Sequence, residues 1–220
     1  MSDDLYERVD AYIDRLFAPA DPVLDAGIAR AAKAGMPEIQ ISAGQGKFLN
    51  LLAKMVGARR ILELGTLAGF STIWLARALP ADGRLVTLEF SPEHARVARE
   101  NIAAAGQGGK VEVIVGAALD TLSKLTARGE APFDLVFIDA DKENYSAYLD
   151  WVLKLTRPGS VILGDNVIRG GAVMAADAVG MAKGAADFNA KLAADARLEA
   201  IILQQVGIKG HDGLAIARVK

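Results

Sequence analysis

Asp139, Lys142, Asp165 and Asn166 are the residues whose types and spacing most directly suggest chemistry. Asp139 follows the apolar run FDLVFI in FDLVFIDADKENY (133–145), and Asp165-Asn166 follows another, GSVILG (159–164). If both runs are adjacent parallel strands, the three side chains present oxygen ligands to one point. Carboxylate and amide oxygens without His or Cys favour a hard cation such as Mg²⁺, which keeps positions open for water or substrate. The competing use of Asp and Asn after a strand is to cap the next helix. Lys142 stands three residues after Asp139, in the first turn of the next helical stretch, where its charge opposes the positive end of the helix dipole. Beside a divalent cation that unfavourable placement makes Lys142 a candidate general base. Asp141 has no role on this reading.

A second group lies earlier, in Glu63-Leu-Gly-Thr-Leu-Ala-Gly69. The two glycines let the backbone pass close to a ligand, and the helix starting near Phe70 and Ser71 offers free N–H groups. The spacing is E-x-G-x-x-x-G rather than the G-x-G-x-x-G of dinucleotide binders. A glutamate pointing into the loop repels a pyrophosphate and attracts a cationic amino group. Glu89 ends the run TLE twenty residues after Gly69, where an acid commonly accepts hydrogen bonds from both ribose hydroxyls. Taken together, Glu63 and Glu89 suit a nucleoside carrying an amino-acid moiety, which describes S-adenosylmethionine.

The elements that must position these residues alternate along the chain. RRILELG, GRLVTLEF, KVEVIVG, FDLVFIDA and GSVILGD read as strands buried on both faces, because Val, Ile and Leu recur without alternation. STIWLARAL, SPEHARVARENIAAAG, ALDTLSKLTARG and NYSAYLDWVLKLTRPG between them carry helical spacing, with Ser91-Pro92 as a start and Gly106 and Gly159 as stops. The pattern predicts a parallel sheet with helices on both faces. A helical region over about 172–196 follows, then LEAIILQQVG and DGLAIARVK joined by GIKGHDG, a terminal hairpin that makes the sheet mixed at one edge. Residues 1–59 read as three helices forming an N-terminal cap over the carboxyl ends of the strands, within one domain spanning 1–220.

The whole chain narrows the function classes. Its 220 residues carry a net charge of −2 with Lys and Arg dispersed, so nothing asks for nucleic acid or an anionic membrane. With no cysteine, disulfides, thiolate metal sites and cysteine nucleophiles are excluded. No apolar stretch is long enough for a membrane span, and MSDDLYERVD has no leader-like core, which leads us to expect a cytoplasmic protein.

With these motifs in place the sequence resembles the cation-dependent O-methyltransferases, the group containing catechol and caffeoyl-CoA O-methyltransferases. The likeness runs from GQGKFLNLLAKMVGARRILELGTLAGFSTIWLA through TLEFSPE, VIVGAALD and FDLVFIDADKENY to LTRPGSVILGDNV. It implies a class I methyltransferase (Rossmann-like) fold, with a seven-stranded, mostly parallel sheet ending in an antiparallel hairpin. It also implies S-adenosylmethionine as methyl donor, a divalent cation (Mg²⁺, with Ca²⁺ or Mn²⁺ as alternatives), a small aromatic hydroxyl acceptor, and a homodimer. On that pattern Ile41, Glu63, Gly65, Thr66, Ser71, Glu89, Ala118 and Asp139 contact the donor, and Asp139, Asp165 and Asn166 hold the metal. Lys142 is the catalytic base. Arg169 could meet an anionic acceptor or be solvated, and His211 could line the acceptor pocket. His94 reads as surface, Trp74 and Trp151 as packing, and Tyr145 as either. The competing classes are a nicotinamide oxidoreductase, disfavoured by Glu63 and the missing third glycine, and a non-catalytic cofactor binder. A binder would have no need of the Asp139, Lys142, Asp165 and Asn166 set.

Overall fold

A computed structural model, which describes residues 3–220, turns the five apolar runs into strands β1 (Arg60–Leu64), β2 (Arg84–Glu89), β3 (Val111–Val115), β4 (Phe133–Ile138) and β5 (Thr156–Gly164). Leu62, Val86, Val136 and Ile162 are buried, as central strands covered on both sides require. β6 (Leu198–Gly207) and β7 (Gly210–Val219) complete the sheet as an antiparallel hairpin. The strand order is β3-β2-β1-β4-β5-β7-β6, parallel except that β7 runs against both β5 and β6. β1 pairs with β2 on one side and β4 on the other, so the order reverses there, and the ligand crevice of such a sheet lies at the carboxyl ends of β1 and β4.

Among the described residues eight α-helices surround the sheet: α1 (Asp3–Phe17), α2 (Pro22–Lys33), α3 (Ala43–Met55), α4 (Phe70–Ala76), α5 (Pro92–Ala104), α6 (Ala118–Ala127), α7 (Tyr145–Val152) and α8 (Gly180–Ala194). The start signal before α5 acts as its sequence suggests: Ser91 Oγ accepts from His94 N at 3.3 Å, with Pro92 leading the helix. α6, α7 and α8 cover one face through Leu122, Leu149 and Phe188. α3 and α4 cover the other through Leu49, Ala53 and Leu75. No helix among the described residues is long and apolar enough to cross a membrane.

Four local expectations change. The helix expected over 172–196 begins only at Gly180; before it lies a 3-10 segment, Arg169–Met174, broken by left-handed Gly170 and Gly171. Met174 and Val179 are exposed, so the helical spacing there has no surface to bury against. Gly159 is not a helix stop. α7 ends at Val152, and Gly159 (φ 91°) lies inside β5, beside the irregularity that shifts its register against β4. The hairpin loop is tighter than GIKGHDG suggests: Gly207 pairs with Gly210, leaving Ile208 and Lys209 as the turn. Finally, the first 59 residues are not a cap as a whole. α3 lies on a sheet face, α1 packs against α3 and β6, and α2 packs against α5. The segment 37–45 reaches the strand ends, where Ile41 joins the cleft lining and Gln45 bonds Asp165.

Candidate active site

The loop after β1 is built on a buried acid. Glu63 is fully buried, and its carboxylate accepts from Ser71 Oγ (2.6 Å), Thr72 Oγ1 (2.5 Å) and Thr87 Oγ1 (2.7 Å). Burial pushes its pKa up to about 7 despite those three donors. The expectation that Glu63 points into the loop toward a ligand is therefore corrected: it lies under the loop and braces the start of α4. Gly65 (φ 95°) must be glycine, since a Cβ there would stand 1.9 Å from the Asp139 carbonyl oxygen. That contact is where the β1 and β4 ends meet.

Glu89 gathers the loop from the other side. One carboxylate oxygen accepts from Thr66 N (3.2 Å) and Leu67 N (2.8 Å), and the other from Ser91 N (2.9 Å). Thr66 turns its hydroxyl away to Thr87 Oγ1 at 2.6 Å.

The expected donors stand at the ends of β4 and β5. Asp139 Oδ1 accepts from Lys142 Nζ at 2.8 Å, and Lys142, in a 3-10 turn (Lys142–Asn144), is 5% exposed with its ammonium 4.9 Å from the centre of the Tyr145 ring. α8 holds this turn closely: a Cβ on Gly184 would lie 2.3 Å from the Lys142 carbonyl oxygen. Asp165 is 2% exposed and bonded by Gln45 Nε2 (2.8 Å) and Asn166 N (2.9 Å). Burial raises its pKa, and the Asp139 carboxylate adds to the rise. Tyr145 ties both strand ends together, its hydroxyl 2.9 Å from the Ile138 carbonyl oxygen and 3.0 Å from that of Asp165.

Among the described residues no group of three or more His, Cys, Asp or Glu is placed to hold a metal. Asp139, Asp165 and Asn166 make a different set, two carboxylates and an amide. It fits a hard cation by chemistry: all donors are oxygen, and a cation would offset the burial and the Asp139 charge that raise Asp165.

Two cavities open over the loops after β1 and β4. One of about 530 Å³ is lined by Ile41, Gly65, Thr66, Ser71, Glu89, Asp139, Lys142 and Asn166, and so gathers most of the residues singled out in the sequence. The other, about 480 Å³, is lined by Ala118, Phe90, Leu119 and Tyr148 and shares Gly65, Glu89, Ala140 and Asp141 with the first. Glu63 and Asp165 line neither. His211 lies in β7, exposed and 3.0 Å from Gln204 Oε1, outside both. His94, read as surface, lines the larger cavity with Nδ1 3.5 Å from Glu89. Asp141, without a role in the sequence, stands at the seam of both and accepts from Tyr148 and Asn144. Its signal was the D-A-D repeat with Asp139, which places both acids beyond the same strand. Gln45 carried no signal of its own.

A switch-point cleft with a glycine turn, on a sheet ending in a reversed hairpin, defines the class I methyltransferases. The chain belongs to the O-methyltransferase family, whose model matches residues 18–220. It is 51% identical to a catechol O-methyltransferase of Niastella koreensis, over 100% of both chains. Among solved structures it superposes on the Bacillus cereus O-methyltransferase in complex with SAH (S-adenosylhomocysteine) with a TM-score of 0.96, at 46% identity and covering 100% of both chains. The O-methyltransferase TomG of Streptomyces achromogenes, in complex with SAM (S-adenosylmethionine), gives a TM-score of 0.96 at 44% identity, covering 100% of this chain and 99% of that one.

Proposed function

We propose that this enzyme transfers a methyl group from S-adenosylmethionine to a hydroxyl of a small catechol-like aromatic, with a divalent cation and Lys142 as base. The observation that carries the reading is that Asp139, Lys142 and Asn166 share one cavity with Gly65, Ser71 and Glu89. Family membership and the relatives named catechol O-methyltransferase, SAH-bound and SAM-bound support it.

On this reading Glu89, fixed by three backbone N–H groups, has lone pairs left for the ribose hydroxyls. Ala118 and Phe90 bound the space for the adenine, and Ile41, Gly65, Thr66 and Ser71 surround the methionine end. Glu63 acts at one remove, orienting Ser71. Asp139, Asp165 and Asn166 would hold Mg²⁺, with Ca²⁺ or Mn²⁺ as alternatives. The ion supplies acidification of a phenol, whose pKa is otherwise near ~10, and alignment of two vicinal oxygens. Lys142 Nζ, placed by Asp139 and the Tyr145 ring, would take the phenolic proton as the neutral amine and become the ammonium paired with Asp139. The cleft walls keep acceptor oxygen and methyl carbon in line, an effect worth up to roughly 7–11 kcal/mol.

The protein works as a homodimer in the cytoplasm on this account. The exposed apolar residues Tyr12 and Phe17 of α1 and Ile201 and Leu203 of β6, two elements packed together, provide the surface for a second copy. The test of the reaction is methyl transfer from labelled S-adenosylmethionine to a panel of catechols, hydroxycinnamoyl esters and flavonoids, with calorimetry of S-adenosylmethionine against NAD alongside. Methylated vicinal diols and binding of the sulfonium cofactor are expected. NAD binding without methyl transfer would overturn it.

A further inference from the structure

Among the described residues three non-glycine residues have a left-handed backbone, Leu67 (φ 48°), Asn166 (φ 56°) and Arg169 (φ 54°), and all three line the cavity that holds Lys142 and Asp139. Side chains with a Cβ disfavour this conformation, and it persists where the surroundings impose it, commonly at ligand sites. Leu67 is explained by its N–H bond to Glu89 and Asn166 by its place among the oxygen donors. Arg169 is not yet explained.

The Arg169 turn is clamped rather than loose. Asp212 Oδ1 accepts from Ile168 N, Arg169 N and Gly213 N, each at 2.9 Å, so β7 fixes the backbone from which the side chain departs. The guanidinium itself donates no hydrogen bond among the described residues. Its nearest acid, Asp212 Oδ2, is 4.0 Å from Nη1, beyond hydrogen-bond reach. Lys142, by contrast, is tied to Asp139 at 2.8 Å. Arg169 is thus the lysine or arginine of this cavity lining that lacks a hydrogen-bonded carboxylate. The same lining carries Glu89, Asp139 and Asp141, whose charges repel an anionic acceptor, so an anion is best held at the one lysine or arginine of the lining that no hydrogen-bonded acid already neutralises.

We propose that Arg169 is a specificity residue that binds a carboxylate on the acceptor, so that the preferred acceptors are vicinal-diol aromatics bearing a carboxylate. This rests on the O-methyl transfer reading above. The guanidinium fork pairs with a carboxylate through two parallel N–H bonds, which fixes direction as well as charge. A catechol ring anchored in this way would lie in the cavity that Lys142 and Asn166 also line.

The test compares 3,4-dihydroxybenzoate with its uncharged counterpart, 3,4-dihydroxybenzyl alcohol. Binding is measured by calorimetry with S-adenosylhomocysteine and Mg²⁺ present at low ionic strength, and methyl transfer is measured alongside. Arg169→Asn removes the charge with a residue that tolerates positive φ, and Arg169→Lys keeps the charge without the fork. The wild type should bind the acid about 10-fold or more tighter than the alcohol. Arg169→Asn should weaken the acid by roughly 10- to 100-fold while leaving the alcohol within about 2-fold, with the kinetic loss in KM rather than kcat. Arg169→Lys should recover part of the preference. Equal affinities in the wild type, an equal loss for both probes in Arg169→Asn, or binding of neither probe overturns the proposal. Transfer to the alcohol without acid preference sinks the Arg169 role alone. Intact acid preference without transfer to either probe supports the anion site and sinks the methylation reading.

Discussion

Lys142 does the proton chemistry in this account, and its role can be separated from binding. Lys142→Ala should lower turnover by about 10²- to 10⁴-fold while S-adenosylmethionine affinity stays within roughly 3-fold; single-turnover kinetics and calorimetry would check both, and a lost cofactor affinity argues against the base. Glu63 offers a second test, through pH. Burial lifts it from 4.5 to about 7, so the folded protein holds that proton more tightly than the unfolded chain. Its contribution to stability is full below pH 4.5 and is lost as pH rises through about 7. In thermal unfolding across that range Glu63→Gln should gain on wild type as pH rises, whereas a constant gap contradicts the buried-acid picture. The positions of these residues were legible in the sequence, because strand ends follow from apolar runs. The direction of Glu63 was not. Whether a carboxylate after a strand faces the cleft or the core depended on Ser71, Thr72 and Thr87, hydroxyls that come together only in the fold.

Elements place the site through two close backbone approaches. Gly65 lets β1 reach β4, and Gly184 lets α8 press on the Lys142 turn. Gly65→Ala sets a Cβ 1.9 Å from the Asp139 carbonyl oxygen and should abolish cofactor binding or prevent folding. Gly35→Ala is the matched control: φ is also positive at 71°, but nothing lies within 4 Å of the added carbon. It should cost only about 1–2 kcal/mol, with binding intact. Denaturant melts and calorimetry distinguish the two, and equal effects would contradict the close-approach argument. The strands and most helices could be read directly from period and caps. The 169–180 segment could not, since AVMAADAVG carries helical spacing while the glycines at 170 and 171 break it and no neighbour covers Met174 or Val179. Gly159 misled for a related reason: a glycine before an apolar run marks a helix stop or a strand bulge equally well in sequence.

At the scale of the whole molecule, the strand order brings the ends of β1, β2, β4 and β5 to one edge, so residues from Ile41 to Asn166 line one cavity. That convergence followed from the βαβ alternation and the switch-point rule, and the reversed hairpin from its two apolar runs. The docking of α1 on β6 did not, because only the folded sheet shows which edge is free for it. A dimer across the apolar surface of these two elements predicts twice the chain mass by sedimentation, shifting to monomer in Phe17→Asp with Ile201→Asp. An unchanged mass in that variant would place the interface elsewhere. The central claim is that Asp139, Asp165 and Asn166 hold a divalent cation required for methyl transfer to a vicinal diol. Its most direct measurement is the rate of transfer from S-adenosylmethionine to a catechol in excess chelator and then on titration with Mg²⁺. Activity lost in chelator and restored by Mg²⁺ is the predicted result; full activity in chelator would contradict it.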